Sequence, residues 1–172
     1  MRRIIRIVTS PREEWQRIAG EGGLAAIAYA SLLSVLPAGA AFAMREGSDL
    51  ALSSSAVGVT YAAFLGGIVL LGAAFRALAA FHDKRSTWAA CFKVAAYGAT
   101  PVLLAGAVLV HPVLVIVPMV ALLHVFYLHY LGVQIVLGIA AEDSAMFVAL
   151  AMAAVFVVSS VFGAGAASMA LL

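Results

Sequence analysis

Residues 24–44 carry no charged side chain, and a stretch of that length matches the ~20 residues an α-helix needs to cross ~30 Å of hydrocarbon. The pattern recurs. Residues 56–80 hold only Arg76 near their end, and residues 113–138 and 145–171 contain no Asp, Glu, Lys or Arg. A water-soluble fold of 172 residues has too little interior for a chain that is 65% hydrophobic and 10% charged, since soluble domains carry about 25% charged residues. Lipid is therefore the solvent. The sequence predicts an all-α polytopic membrane protein with five transmembrane helices and a short N-terminal amphipathic interfacial helix.

The leader occupies residues 1–23. Ser10, Pro11 and Glu13 read as a helix start, with Ser10 as N-cap, Pro11 at the first helical position and Glu13 closing a capping box. The helix that follows places Trp15, Ile18 and Ala19 on one face, with Arg12, Glu13, Glu14, Arg17 and Glu21 around the rest, and stops near Gly22 and Gly23. Two readings stand side by side. Either the helix lies on the membrane with Trp15 at headgroup depth, or it is a solvated leader whose Trp15 caps the bundle end. The apolar piece Ile4 to Val8 behind Arg2 and Arg3 is shorter than a signal-peptide core, so the N-terminus is expected to be retained.

One membrane domain, 24–172, is expected to hold spans at about 24–44, 56–80, 87–110, 113–138 and 145–171. Pro37 should bend the first, and residues 45–55 make a polar connection to the second. Small residues at Ala62 and Gly66, at Ala63 and Gly67, and at Ser159, Gly163 and Ala167 recur at the spacing that lets membrane helices approach closely. Ser86 is expected to cap the third span, His111 and Pro112 to form a tight turn, and Glu142, Asp143 and Ser144 to form the last loop or a cap. Basic residues gather in the leader and around residues 76–93, while the loops on the other side hold only Arg45. The positive-inside rule then puts the N-terminus in the cytoplasm and the C-terminus on the opposite side of a cell (inner or plasma) membrane.

Lys93, Tyr97 and Pro101 fall at i, i+4 and i+8 on one helical face. Pro101 has no N–H to offer, which leaves the Tyr97 carbonyl for another donor such as Thr100. On the fourth span His124, Tyr127, Tyr130 and Gln134 share one arc, and His129 lies opposite. Polar groups are costly in hydrocarbon, so that arc should turn inward, toward Lys93, Tyr97 and Thr100. The cluster reads either as a polar or proton-handling site, or as interhelical hydrogen bonding with Lys93 snorkelling from ~9 Å along its helix to the headgroups.

Other chemistry finds no foothold. Cys91 is the single cysteine, and no HExxH or CxxC spacing exists, so no metal site or cofactor is expected. No nucleophile elbow is present, and the acids Asp49, Asp83, Glu142 and Asp143 lie in or beside loops rather than near the buried histidines, which argues against an enzyme. A formal charge of +2, with no basic run carrying interleaved aromatics, excludes nucleic acid.

The order Ser10-Pro-Arg-Glu-Glu-Trp15, then Lys93-x3-Tyr97-x2-Thr100-Pro101, then Tyr127-Leu-x-Tyr130-Leu-Gly132, resembles the Yip1 domain family along nearly the whole chain. The resemblance implies five membrane helices and a cytoplasmic N-terminus. Eukaryotic relatives act in vesicle trafficking, contact Rab-type GTPases and interact with one another; prokaryotic relatives are inner-membrane proteins. About twenty residues before the first span resemble the compact prokaryotic form. The family's usual glycine before the third helix is replaced within residues 82–85, and His124 stands where tyrosine is common.

Two functions follow from this reading. The first is a non-enzymatic organiser of membrane or partner proteins, working through Trp15 and through Asp83, Lys84, Arg85 and Trp88 at its cytoplasmic face. The second is a small transporter or channel using Lys93, Tyr97, Thr100, His124 and Tyr127. The partners expected are membrane lipid, proteins at the cytoplasmic face and a second copy of the chain.

Overall fold

The computed structural model describes residues 2–43, 50–82, 86–108 and 116–169. The expected polar connection at 45–49, Asp83, Lys84, Arg85 and the turn at His111 and Pro112 lie outside the described residues, and so do the side chains of Gly163 and Ala167. Within them the chain is helical, without a strand: α1 (Arg2–Thr9), α2 (Pro11–Ala19), α3 (Gly23–Ala43), α4 (Leu50–Phe81), α5 (Trp88–Gly98), α6 (Thr100–Gly106), α7 (Ile116–Leu137) and α8 (Ala141–Met169). Among the described residues four helices are long and apolar enough to cross a membrane, and α5 with α6 pass the same test together as a bent pair, for four to five candidate spans. The chain is a multi-pass membrane protein.

The third span is not the single helix expected through Pro101 to about Val110: α5 and α6 are separate, α6 ends at Gly106, and residues 109–110 lie outside the described residues. The pair bends by 43° between Gly98 and Thr100 because Pro101 cannot donate to the Tyr97 carbonyl. Thr100 Oγ1 donates to that carbonyl instead, at 2.6 Å. The Tyr29 hydroxyl lies 2.8 Å from the same Thr100 oxygen, which fixes α3 against the bend. α3 itself runs unbroken through Pro37. Other expected boundaries shift by a few residues. Thr87, not Ser86, caps α5, accepting from the Ala90 N–H at 3.2 Å. α4 begins at Leu50 rather than Ala56, since Leu50, Ala51 and Leu52 favour helix. Glu142 and Asp143 sit in the first turn of α8, where acidic groups suit the positive end of the helix dipole. Gly138, at φ 68°, ends α7 in the left-handed region.

The N-terminus differs more. Residues 2–9 are a helix in their own right, and Ser10 is the joint between α1 and α2. Its side chain makes no cap bond, while its N–H reaches back to the Arg6 carbonyl at 2.7 Å. The expected capping box is therefore absent, because the preceding helix already occupies the geometry it would need. Both helices belong to the bundle: α2 packs on α7 and α1 reaches α6. Ile7, Trp15 and Ile18 are fully buried, whereas Ala19, expected on the same face, is exposed and Glu14 takes its place.

Glycines decide where large side chains enter. A Cβ on Gly132 would lie 2.8 Å from the Trp15 ring, one on Gly98 2.5 Å from His129 Nε2, and one on Gly106 2.7 Å from Pro37 Cβ. The small residues of α4 behave otherwise. A Cβ on Gly66 or Gly67 meets nothing within 4 Å, so these positions do not form the close seam expected of them; α4 approaches α5 at Gly72 instead, where an added Cβ would lie 3.4 Å from Phe92 Cα.

Gly132→Ala and Gly98→Ala should each destabilise the fold, by about 1–3 kcal/mol of overpacking. Gly67→Ala should be neutral or mildly stabilising. Thermal unfolding midpoints in one detergent check all three, and equal losses at Gly67 and Gly132 would contradict this packing.

Candidate functional site

α5 carries Lys93 into a bundle where only 6% of the residue stays exposed. Its ammonium has three protons to place, and the end of α2 supplies three acceptors: the carbonyls of Ile18 at 3.1 Å, Ala19 at 3.0 Å and Glu21 at 2.9 Å. Carbonyls at a helix C-terminus carry the negative end of its dipole and have few partners within the helix; that of Ile18 also accepts from the Glu21 N–H at 3.1 Å. One cation thus answers three carbonyls where α2 ends. Lys93 does not snorkel to headgroups, and it does not meet the His124 arc.

One turn further along the same face stands Tyr97, fully buried and ~13 Å along the helix from Trp88 at 1.5 Å per residue. Its hydroxyl accepts from Arg3 Nη1 at 3.0 Å, and the guanidinium lies 5.4 Å from the ring centroid. The Arg3 fork also grips Glu21 through both Nη atoms, with Nη1 at 2.8 Å from Oε2, and Nε reaches Glu14 at 3.3 Å. Glu14, 3% exposed, takes a further bond from Arg17 at 3.2 Å. Burial opposes the charge on Arg3, but Glu21 and Tyr97 outweigh it and hold the guanidinium above its already high ordinary range. Trp15 completes the cluster edge-on to Tyr97, with centroids 6.4 Å apart.

The polar centre is therefore built between the N-terminal hairpin and α5. Of the residues expected in it, Lys93, Tyr97, Thr100 and Pro101 are together, while His124, Tyr127, Tyr130 and Gln134 are elsewhere. α7 turns Val125, Leu128, His129 and Val133 into the bundle, so the inward histidine is His129; of the expected arc Tyr127 is 46% exposed, while His124, Tyr130 and Gln134 are half-buried on the flank of the helix. Packing overrode the cost of polar groups in lipid: Gly132, the slot for Trp15, and His129, which fits against Gly98, occupy the opposite side of α7. His129 donates from Nδ1 to its own helix at Val125, 2.8 Å away. Arg3, Glu14 and Glu21 were missed as site residues. The available signal was that Glu14, Ile18 and Glu21 share one helical stripe at i, i+4 and i+7, but Arg3 lies on a separate helix 11 and 18 residues from the two carboxylates, and Lys93 and Tyr97 are more than seventy residues from the groups they meet.

Of the surface residues expected to face partners, Trp15 is buried and so unavailable. Trp88 is 55% exposed; Arg76 lies 5.0 Å from its ring centroid and donates to the Ser86 carbonyl at 2.9 Å. On another side of the bundle a cavity of about 330 Å³ opens between α4, α6, α7 and α8; its walls are apolar except for His129.

The family model described as Yip1 domain matches residues 5–163. This chain belongs to the Yip1 domain family. The match takes in the hairpin from Ile5 onward, so the bonds from Lys93 to residues 18, 19 and 21 join two parts of one Yip1 domain, while Arg3, the partner of Tyr97, lies just before the matched stretch. No curated protein and no solved structure matches the chain.

Replacing Lys93 by Met should release the hairpin, because each enclosed carbonyl left without a donor costs about 1–3 kcal/mol. In a Trp88→Phe background Trp15 is the remaining tryptophan. Its emission should then shift to the red and the segment 10–22 should become accessible to protease. An unchanged spectrum would contradict the anchoring role of Lys93.

Proposed function

We propose that this Yip1 domain protein is a non-enzymatic membrane organiser that holds partner proteins at the end of the bundle where α4 ends and α5 begins. The observation that carries the proposal is the fate of the deep polar groups. The Lys93 protons, the Arg3 fork and the Thr100 hydroxyl are all engaged in joining helices of the same chain, which leaves them as fastenings rather than stations for a passing solute. A transporter needs a wetted polar path, whereas the cavity beside His129 has apolar walls. By contrast, Phe81 at 83% and Trp88 at 55% stand exposed at one end, beside Arg76.

That end is assigned to the cytoplasm of a cell membrane. The assignment rests on the basic residues of the hairpin, Arg2, Arg3, Arg6, Arg12 and Arg17, with Arg76 and Lys93, against the sparse positive charge of the other loops. Two exposed aromatic residues at one end, with Arg76 over the Trp88 ring, make a surface of the kind enriched in partner-binding sites.

The test combines two measurements on the full chain. Crosslinking and affinity capture from its own membranes should recover a partner set that Phe81→Ala with Trp88→Ala depletes at least severalfold, while ion and small-solute flux in proteoliposomes stays at the level of empty liposomes. Flux above that level that His124→Phe abolishes, or a partner set indifferent to the double substitution, would sink the proposal.

A further inference from the structure

We infer that the cavity between α4, α6, α7 and α8 holds the end of one lipid acyl chain, drawn from the leaflet on the side where α7 begins. The cavity is a product of the bent third span. α5 packs on α4, whereas α6, beyond the bend, packs on α3 and α7. Against α4 that divergence leaves a gap of about 330 Å³, with Ala99, Val102 and Leu103 of the bend in its wall. The volume lies within the range of small-ligand sites.

The depth of the gap selects what enters it. α4 and α7 end on the same side of the bundle, at Phe81 and Leu137. Counted back from those ends at 1.5 Å per residue, Ile68, Leu71, Val125 and His129 lie about 12–20 Å deep, and Ala63 and Leu122 about 22–27 Å deep. The first four are buried, while Ala63 is exposed and Leu122 is 48% exposed. The floor is therefore close to the middle of ~30 Å of hydrocarbon, and the mouth lies beyond it in the other leaflet. At that depth the surroundings offer the ends of acyl chains, not headgroups or bulk water.

The walls fit the same occupant. All the lining side chains but His129 are apolar, and His129 turns its nitrogens elsewhere. Its Nδ1 bonds to the Val125 carbonyl, and its Nε2 is enclosed against Gly98, where an added Cβ would lie 2.5 Å away. Apolar cavities stay dry, and a gap left unfilled forfeits dispersion contacts in proportion to its size. An acyl chain restores those contacts without desolvating a polar group. A protein helix, about 10–12 Å across with its side chains, is too thick for the gap. Gly67 keeps the space open: it belongs to the wall, and a Cβ on it meets nothing within 4 Å. The inference goes beyond the partner-holding role proposed above and stands or falls independently of the Phe81 and Trp88 surface.

Phospholipids carrying a photoactivatable diazirine either at the chain end or beside the ester, in proteoliposomes of the purified full chain, test the site. The chain-end probe should label Ile68, Leu71 and Val125, and the ester-side probe should label them severalfold less. Gly67→Leu should lower the chain-end label on this floor severalfold, with helix content retained. At Gly66 an added Cβ also meets nothing within 4 Å, but the residue is not part of the wall, so Gly66→Leu should leave the label unchanged. Labelling should not depend on the protein-to-lipid ratio. Equal labelling of the floor by the two probes, equal effects of the two glycine substitutions, or an unlabelled floor beside labelled Val69 and Leu123 on the outer faces would each overturn the inference. So would loss of the floor label at high protein density, the mark of a second copy covering the cavity.

Discussion

A charged amine inside an apolar helix has to find acceptors within reach, and in this chain they are the terminal carbonyls of another helix. The bonds from Lys93 to residues 18, 19 and 21 hold the end of α2 against α5. Everything the hairpin contributes follows from that attachment. Trp15 enters the slot at Gly132, and Arg3 is brought to Glu21, Glu14 and Tyr97. Removing one member of such a buried set leaves uncompensated charge or carbonyls, which is why the segment behaves as part of the domain rather than as a leader attached to it.

The bend in the third span works with this attachment. Pro101 frees a carbonyl, Thr100 occupies it, and Tyr29 joins Thr100 from α3. Tyr97 lies at the meeting of both systems, tilted against Tyr29 with ring centroids 4.5 Å apart and bonded to Arg3. The hairpin and α3 are thus tied together through neighbouring residues of α5 and α6. A break that looks like a weakness in the helix supplies a point of attachment for two other elements.

α7 shows the opposite outcome for polar residues in lipid. Its inward side took the glycine and the histidine that fit the available space, Tyr127 was left exposed, and the side-chain nitrogens of His124 and Gln134 were enclosed without a hydrogen-bond partner among the described residues. Side chains facing hydrocarbon cost least when they are apolar, so the rotation of α7 was set by the shapes on its inner side and not by its polar groups.

The sequence by itself determined the solvent, the helical class and the approximate number and position of the spans, because a long uncharged apolar run has few alternatives in water or lipid. It also marked the Tyr97 carbonyl as freed by Pro101 and Thr100 as a donor for it, both consequences of covalent structure within a few residues, though not the bend that goes with them. Residues 93–101 were legible as a polar centre, and the order of motifs pointed to the Yip1 family. Only the tertiary structure decided what Lys93 and Tyr97 touch, which side of α7 turns inward, and that Trp15 is a core residue rather than an interfacial one. Those outcomes depend on contacts between residues far apart in the chain and on where a missing Cβ leaves room, neither of which a helical period encodes.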